Sequence, residues 1–476
     1  MSQAGRVSNG WKFFRLVFVA TCLGACGSPA ATTQRPTEQV AAAAVQPTAR
    51  PTIAPSPTVR PTPRPTATPQ VAASGDVLFI AMGAAMQTNT IALVDADTGA
   101  SQRHLPIGLA TSDWSTLYVV ESDTKVTTVR AVAVATGATL RETRLEGDYA
   151  LPVVGSDGSL GGLSPDGRWL TLATEADAAS TAGGTRHSRF AVLSTGFISP
   201  PRLVDLDGVF WFDAIDNSGN ALYLTETPQT DQPLKYQVRY YNLTEGALDP
   251  QVVVTKGESE VMEGTRQAAV PSARGDQLYS LYLNTEHGPF IHALDVTNRF
   301  AVCIDLPTNA KGDLAKQRFW SLVRNPHTGR LFAVNGMLGL VSEISPDQYA
   351  IVRTVTLPAT SAQSVPLGGS VRLFAPAAKE PRAIRGSLTL SPDGKTLFAV
   401  GAQGVMAIDT GTLTLRGQYL QDMAVESISV SPDGARLYAV RLGQPALLVV
   451  DATRGTLLSQ IPLTSAAAVL HVGTSP

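Results

Sequence analysis

Residues 387–409 read SLTLSPDGKTLFAVGAQGVMAID, and residues 427–451 read SISVSPDGARLYAVRLGQPALLVVD. Both stretches contain an apolar strand, an SPDG turn, a second strand, a variable loop and a third strand, and they recur after about 40 residues. In the turn, Pro sets φ at the corner, Asp accepts hydrogen bonds from backbone amides, and Gly takes the positive φ of a tight reversal. The pair predicts an all-β repeat of short strands packed on both faces.

Weaker copies of this unit occupy the chain upstream. Each has a turn before an aromatic or apolar strand, and they begin near Asp76, Thr111, Leu163, Ile215, Val270 and Leu322. About eight units at spacings of roughly 40 to 65 residues predict the four-stranded blades of a β-propeller. The units near Asn217, Arg274 and Asn325 lack the SPDG series. Seven blades are therefore the alternative.

The two ends of the repeat array complement each other. The unit at Asp76 begins with its second strand, whereas the last unit is followed by a surplus apolar stretch, residues 467–472. If this stretch supplies the missing first strand, backbone hydrogen bonds close the ring and leave no open blade edge. We therefore expect closure by the C-terminal strand, with a frayed C-terminal tail as the alternative.

The repeats SPDGKTLFAV and SPDGARLYAV resemble the YVTN-type β-propeller repeat. The resemblance extends from about residue 75 to the end and is strongest in the last two units. That family includes surface-layer and lipid-anchored binding proteins, and related propellers include quinoprotein dehydrogenases and lactonases. The motif is specific for architecture and nearly silent on function, because one fold carries many unrelated functions.

The N-terminus has the pattern of an export signal. Lys12 and Arg15 precede the apolar run 16–23, which is too short for a membrane span and ends in Leu-Gly-Ala-Cys at residues 23–26. This ending resembles a lipobox, which implies that residues 1–25 are a cleaved signal peptide and that Cys26 is lipidated. We expect an exported protein anchored through Cys26 to the outer face of the cell membrane. An ordinary secretory peptide or an uncleaved anchor is the alternative.

Residues 26–73 separate this signal from the repeats. From Pro29 the stretch is rich in Pro, Thr, Ala and Arg. Such a composition forms no core and favours polyproline II, which rises about 3.1 Å per residue. We expect a disordered tether between the lipid and a propeller domain at residues 74–476.

The composition narrows the partners. The formal net charge is -2, so the protein is not expected to have the positive electrostatic field that attracts nucleic acid. Only 16% of residues are charged, while Gly numbers 41 and Pro 32, which favours short strands and turns over helices. Of the three cysteines, Cys22 and Cys26 lie in the targeting segment, so no internal disulfide is expected in the body.

Candidate catalytic and metal-binding residues are scattered. The nearest histidine pair, His287 and His292, flanks a short Gly-Pro segment and is interpreted as structural residues on a loop; the others are His104, His187, His327 and His471. Cys303 is interpreted as a small buried hydrophobe, with a reactive thiol as the alternative.

Acidic residues of the repeats are interpreted through their turns. Asp166, Asp393 and Asp433 each belong to a different unit, so they are expected to be structural. The tripeptide Arg274-Gly275-Asp276 occupies the same turn position, and we favour that role over adhesion.

Two function classes remain open. The first is a binding or scaffolding module for a protein, a glycan or a small ligand, without catalytic, cofactor or metal residues. The second is a propeller enzyme of the lactonase or quinoprotein dehydrogenase type, with its site assembled from loops of several blades. Insertions at 174–189 and 360–385, the second containing Arg372, Lys379, Arg382 and Arg385, are the best candidates for a binding surface.

Overall fold

The computed structural model describes residues 73–84, 87–123, 125–155, 158–174, 186–227, 235–254, 261–284, 286–308, 314–358, 387–441, 444, 446–463, 465–466 and 468–474. The chain divides into two units, Met1–Thr68 and Pro69–Pro476, and all described residues belong to the second. The predicted signal peptide, the lipidation site Cys26 and nearly all of the predicted tether lie outside the described residues. No described helix has the length and apolar character needed to cross a membrane.

The body consists of eight antiparallel sheets, the blades, numbered here in chain order. Blade 1 contains β1 (Asp76–Ala84), β2 (Gln87–Asp95), β3 (Ser101–Pro106) and the C-terminal β32 (Ala468–Thr474). Blade 2 contains β4 (Leu109–Ala110), β5 (Thr116–Ser122), β6 (Val126–Ala133) and β7 (Thr139–Glu146). Blade 3 contains β8 (Trp169–Ala173), β9 (His187–Ser194) and β10 (Arg202–Asp207). Blade 4 contains β11 (Phe210–Ile215), β12 (Ala221–Glu226), β13 (Lys235–Asn242) and β14 (Ala247–Val252), with β15 (Met262–Glu263) also paired to β13.

The second half of the ring is more regular. Blade 5 contains β16 (Thr265–Pro271), β17 (Gln277–Asn284), β18 (Gly288–Asp295) and β19 (Phe300–Asp305). The short helix α1 (Leu314–Gln317) leads to blade 6, which contains β20 (Trp320–Arg324), β21 (Leu331–Asn335), β22 (Leu340–Ser345) and β23 (Ala350–Thr356). Blade 7 contains β24 (Leu388–Leu390), β25 (Thr396–Gly401), β26 (Gly404–Asp409) and β27 (Leu415–Tyr419). Blade 8 contains β28 (Val425–Val430), β29 (Arg436–Arg441), β30 (Ala446–Asp451) and β31 (Leu457–Pro462).

The order of strands across a blade follows their burial. First strands of neighbouring blades lie against one another, as in β16 with β20 and β28 with β32, so they form the inside of the ring. In the most regular blades the second and third strands are continuous apolar runs, such as the LFAVG of β25 and the VMAID of β26, which are almost wholly buried. Fourth strands such as β7 and β31 are mostly exposed, with polar residues facing solvent. A run buried on both faces belongs in the middle of a packed sheet.

Eight apolar clusters lie between the blades, one at each boundary. The boundary of blades 7 and 8, for example, buries Phe398, Val400 and Leu437, and that of blades 8 and 1 buries Leu78, Ile80 and Tyr438. Each sheet therefore covers the apolar face of the next, and burial of this surface stabilises the ring.

Strand β32 closes the ring as predicted. It pairs antiparallel with β1, with Leu78 opposite Val472 and Val77 opposite Gly473. Between blades 8 and 1, Tyr438 donates a hydrogen bond of 2.5 Å to Asp76, and Arg436 forms a 2.8 Å ion pair with Asp97.

The count of eight blades is confirmed, and the alternative of seven is wrong. The divergent units at Asn217, Arg274 and Asn325 are complete blades, numbers 4, 5 and 6. Blade 3 differs from expectation, because its first strand is reduced to a single bridge between Leu163 and Leu170. The flanking glycines Gly161 and Gly162 give no side chains that would pack in a first strand at this position.

Candidate functional site

The two faces of the ring carry different connections. Because neighbouring strands are antiparallel, the turns from first to second and from third to fourth strands lie on one face, here the turn face. The connections from second to third strands and from each blade to the next lie on the opposite face, here the loop face. A site on either face is therefore built from one class of connection.

The SPDG turns hold their aspartates by local hydrogen bonds. Ser391 donates from its hydroxyl to Asp393 at 2.6 Å, and Lys395 donates its backbone N–H to the same carboxylate at 3.0 Å. Ser431 and Asp433 repeat the first contact at 2.6 Å. These hydrogen bonds, first among them that from the serine, hold the pKa of Asp393 and of Asp433 below the usual value. The prediction that these aspartates are structural is confirmed by their hydrogen bonds.

Asparagines of the divergent units connect turns of different blades. Asn217 donates from Nδ2 to the carbonyl of Arg274 at 2.9 Å and accepts from the backbone N–H of Asp166 at 3.0 Å, so one side chain joins blades 3, 4 and 5. Asn325 donates from Nδ2 to the carbonyl of Gly394 at 2.9 Å. Sequence reasoning missed this role, although Asn at the turn position of two of the three divergent units was a visible signal.

The tripeptide Arg274-Gly275-Asp276 lies in the turn between β16 and β17. Asp276 accepts from the Ser272 hydroxyl at 2.6 Å and from Arg274 Nε at 2.7 Å. Gly275 has a φ of 71° and lies so close to Pro165 and Asn217 that a Cβ would clash. The tripeptide therefore has the predicted turn role.

The histidines are distributed over blades 1, 3, 5 and 6 of the ring. His104 lies 3.0 Å from the Ser101 hydroxyl in β3, and His327 donates to the carbonyl of Pro392 at 2.7 Å. His187 lies 3.1 Å from Asp207 on the exposed edge of blade 3. His471 of β32 stacks on Trp114, with ring centroids 5.1 Å apart. Among the described residues, no group of three or more His, Cys, Asp or Glu side chains is arranged to hold a metal ion.

The loop interpretation of His292 is wrong. His292 lies in the middle of β18 and is 1% exposed, while His287 alone lies in the turn before that strand. The sequence GPFIHALD gave a Gly-Pro start that looked like a turn, but Pro289 is the second residue of a strand. His292 and Cys303 are directly opposite each other in β18 and β19, and Cys303 is only partly buried.

His292 belongs to a polar cluster at the boundary of blades 4 and 5. This blade 4–5 cluster consists of Asp213 on β11, Arg266 on β16, Ser280 and Tyr282 on β17, and His292 on β18. Asp213 and Arg266 form an ion pair of 2.8 Å whose side chains are only 1% and 11% exposed. Asp213 is positioned by a bulge in β11, where it falls between the paired residues Phe212 and Ala214. A bulge re-aims one side chain without ending the strand.

Burial controls the protonation of this cluster. It lowers the pKa of His292 to about 4, so the imidazole is neutral at pH 7. It also raises the pKa of the Tyr282 hydroxyl, so Tyr282 is neutral as well. The edge of the Tyr282 ring faces His292 with centroids 6.2 Å apart, and Phe290 stacks on Tyr282 at 5.4 Å. Within the five described residues of the cluster, the formally charged side chains are those of the Asp213–Arg266 ion pair, and both are largely buried.

This arrangement stabilises a boundary and does not present reactive groups to a substrate. A nucleophile or a general base has to reach the reacting atom, and Asp213, Ser280 and His292 are each at most 2% exposed. The cluster is therefore a candidate site for a small molecule enclosed between the blades. A ligand that arrives from solution would have to bind at the surface of the ring.

The two long insertions join strand ends that lie on the loop face. The segment 360–385 connects blades 6 and 7, and the segment 174–189 connects the second and third strands of blade 3. Residues 359–386 and 175–185 lie outside the described residues, so the prediction that they form a binding surface stays a prediction.

The fold defines the chain as an eight-bladed β-propeller closed by its C-terminal strand. No protein-family model matches the chain. No curated protein sequence matches it either.

Solved structures of three other proteins resemble the chain at low identity. AztD from Citrobacter koseri is 13% identical over 82% of this chain and 95% of that one, with a TM-score of 0.49. The dihydro-heme d1 dehydrogenase NirN is 12% identical over 86% of this chain and 78% of that one, with a TM-score of 0.49. The periplasmic gluconolactonase PpgL of Pseudomonas aeruginosa is 15% identical over 76% of this chain and 99% of that one, with a TM-score of 0.38. Similarities of this size carry no inference about the ligand or the activity of this chain.

Proposed function

We propose that the chain is an exported lipoprotein whose propeller body is a binding or scaffolding module held at the cell surface. In this proposal Cys26 carries the lipid and residues 26–73 hold the body away from the membrane. The loop face binds a protein, a glycan or a small molecule.

The difference between the two faces carries this proposal. On the turn face, side chains such as Asn217 and Asn325 are used in hydrogen bonds between blades. The loop face carries the long connections, and binding residues are commonly found on loops that a rigid scaffold positions. Because side chains of the turn face are used in hydrogen bonds between blades and the loop face carries the long connections, binding through the loop face is favoured.

The binding face can be tested by blocking each face separately. The body from residue 74 contains one cysteine, Cys303, so in a Cys303→Ser background a single surface cysteine can be coupled to a polyethylene glycol chain. Lys125→Cys lies on the loop face in blade 2, and Lys395→Cys is the matched control on the turn face in blade 7; both positions are exposed. A glycan and metabolite panel is screened by thermal shift, with native mass spectrometry of the purified body for bound cofactors.

We expect the polymer at residue 125 to weaken the stabilisation by any hit, and the polymer at residue 395 to leave it unchanged. The reverse pattern would contradict the loop-face assignment. A tightly bound quinone, or turnover of lactones by the purified body, would replace the binding module with an enzyme.

The anchor has a separate test. Full-length protein is expressed in a bacterial host with an alkyne-labelled fatty acid, and the lipid is detected after coupling to a fluorophore. We expect labelling of the wild type and of Cys22→Ser, the matched control, and no labelling of Cys26→Ser. Equal labelling of Cys26→Ser, or an unlabelled wild type, would reject lipidation at Cys26.

A further inference from the structure

Several polar atoms of the blade 4–5 cluster are buried and have no hydrogen-bond partner among the described residues. They are both ring nitrogens of His292, the hydroxyl of Ser280, Oδ2 of Asp213 and Nε of Arg266. His292 and Ser280 are each 1% exposed, so bulk solvent does not reach them. Because buried polar groups in folded proteins are almost always hydrogen-bonded, this concentration of unpaired atoms points to a bound ligand.

Ser280 and His292 are placed so that a small bridging group can reach both side chains. They are directly opposite in β17 and β18, where Cβ atoms lie about 4.5 to 5.5 Å apart. The hydroxyl and the imidazole nevertheless do not bond to each other. The aromatic ring of Tyr282 covers the imidazole from one side and is itself stacked between Tyr236 and Phe290. Besides burial, which lowers the pKa of His292 most, Asp213 raises and Arg266 lowers that pKa, so both side chains lie near the imidazole at the same buried boundary.

The chemistry of these atoms selects the ligand. The neutral imidazole offers one donor and one acceptor, the carboxylate oxygen accepts, and the guanidinium nitrogen donates. A bound cation would be opposed by Arg266 and a bound anion by Asp213. Small neutral molecules that both donate and accept match these atoms, and water commonly occupies such sites with two to four partners.

We propose that the blade 4–5 cluster is a binding site for ordered water that bridges His292 to Ser280 and to the Asp213–Arg266 ion pair. The site joins two blades and is separate from the proposed ligand-binding loop face. Loss of a ligand on that face would leave it unchanged.

A crystal structure of the body at high resolution tests the site directly. We expect at least one ordered water within about 3.2 Å of a His292 ring nitrogen. Asn335 is the internal control, because this fully buried side chain already donates to Lys316 and accepts from Met337, so no bridging water is expected beside it. A direct hydrogen bond between His292 and Ser280, an empty site, or density for a larger molecule would overturn the proposal.

A double-mutant cycle tests the bridge in solution. If water links the two side chains, Ser280→Ala and His292→Leu disrupt the same unit, and the melting-temperature shift of the double variant is smaller than the sum of the single shifts. The control cycle pairs His292→Leu with Ser427→Ala in blade 8, where additive shifts are expected. Additive shifts in both cycles would overturn the proposal.

Discussion

At the residue scale, His292 links the protonation state of one side chain to the stability of the ring. Its folded pKa is about 4 because burial opposes the charged form, whereas the unfolded chain takes the usual value of 6.5. Well above pH 6.5 the imidazole is neutral in both states. As the pH falls from 6.5 towards 4, the unfolded state binds a proton that the folded state does not, so folding loses stability.

Replacing His292 removes this dependence. A shift of this size corresponds to about 3 kcal/mol between pH 7 and pH 4. We expect the free energy of unfolding of the wild type to fall more steeply with decreasing pH than that of His292→Leu, as measured by urea denaturation at several pH values. The two proteins should show parallel behaviour above pH 7, which serves as the control. Equal slopes below pH 6 would show that His292 does not titrate as described.

The effect of the Asp213–Arg266 ion pair on the free energy of unfolding depends on whether one partner or both are replaced. Removing one partner leaves the other buried and unpaired, which costs about 3 to 5 kcal/mol, whereas replacing both with apolar residues is far milder. We therefore expect Arg266→Met to be strongly destabilising and the combination of Asp213→Leu with Arg266→Met to recover part of the loss in chemical denaturation. Arg144→Met is the control, since the Arg144 side chain is 70% exposed in its pair with Glu142, and its effect should be below about 1 kcal/mol. A double variant less stable than Arg266→Met would contradict this account.

At the scale of elements, the turns have two roles, and different residues carry them: bonds within a turn and bonds between the turns of neighbouring blades. In the SPDG units, Ser and Asp complete the turn itself, as in Ser391 and Asp393. In the divergent units, Asn217 and Asn325 reach the next turn along the ring. In blades 4 and 6, which lack the SPDG pattern, the turn is therefore kept, but its side chain forms a hydrogen bond with the turn of another blade.

Replacing Asn325 measures how much a hydrogen bond between turns contributes to the free energy of unfolding. Asn325→Ala removes the hydrogen bond to the Gly394 carbonyl and the acceptor for the His327 backbone N–H, so we expect a loss of about 1 to 3 kcal/mol in the free energy of unfolding. Asn298→Ala is the matched control, because the Asn298 side chain is exposed and its hydrogen bond goes to Asp295 in its own turn. Equal losses for the two variants would mean that the bond between blades adds nothing.

The strands and turns were predictable, while the polar cluster was not. SPDG at 391–394 and at 431–434 predicts a turn at each position. The apolar runs that surround both copies predict that the strand after each turn is buried. Asp213, Arg266 and His292 are far apart in sequence, and only the register of β11, β16 and β18 brings them together. The one local signal was a charged residue inside an apolar strand, FWFDAI at residues 210–215.

At the scale of the whole molecule, one strand connects the ends of the chain. β32 buries Val469 and Val472 in the same cluster as Leu78 of blade 1 and Tyr438 of blade 8. The closure was predictable because the surplus at the C-terminus matched the deficit at Asp76. A blade without its first strand would expose the edge of β1 and part of the apolar face of blade 8.

Deleting β32 tests how far the ring depends on its closure. Ending the chain after Leu463 removes the backbone pairing with β1 and the burial of two valines, each worth about 1.5 to 3 kcal/mol, so we expect a large fall in the midpoint of thermal unfolding. A synthetic peptide of residues 465–476 added to the truncated protein should raise the midpoint, and the rise should grow with the logarithm of the peptide concentration at saturating levels, since the peptide binds the folded state. The same peptide with Val469→Asp and Val472→Asp is the control, because it keeps the length but cannot be buried, and should have no effect. Unchanged unfolding of the truncated protein would mean that the other seven boundaries hold the ring together without this strand.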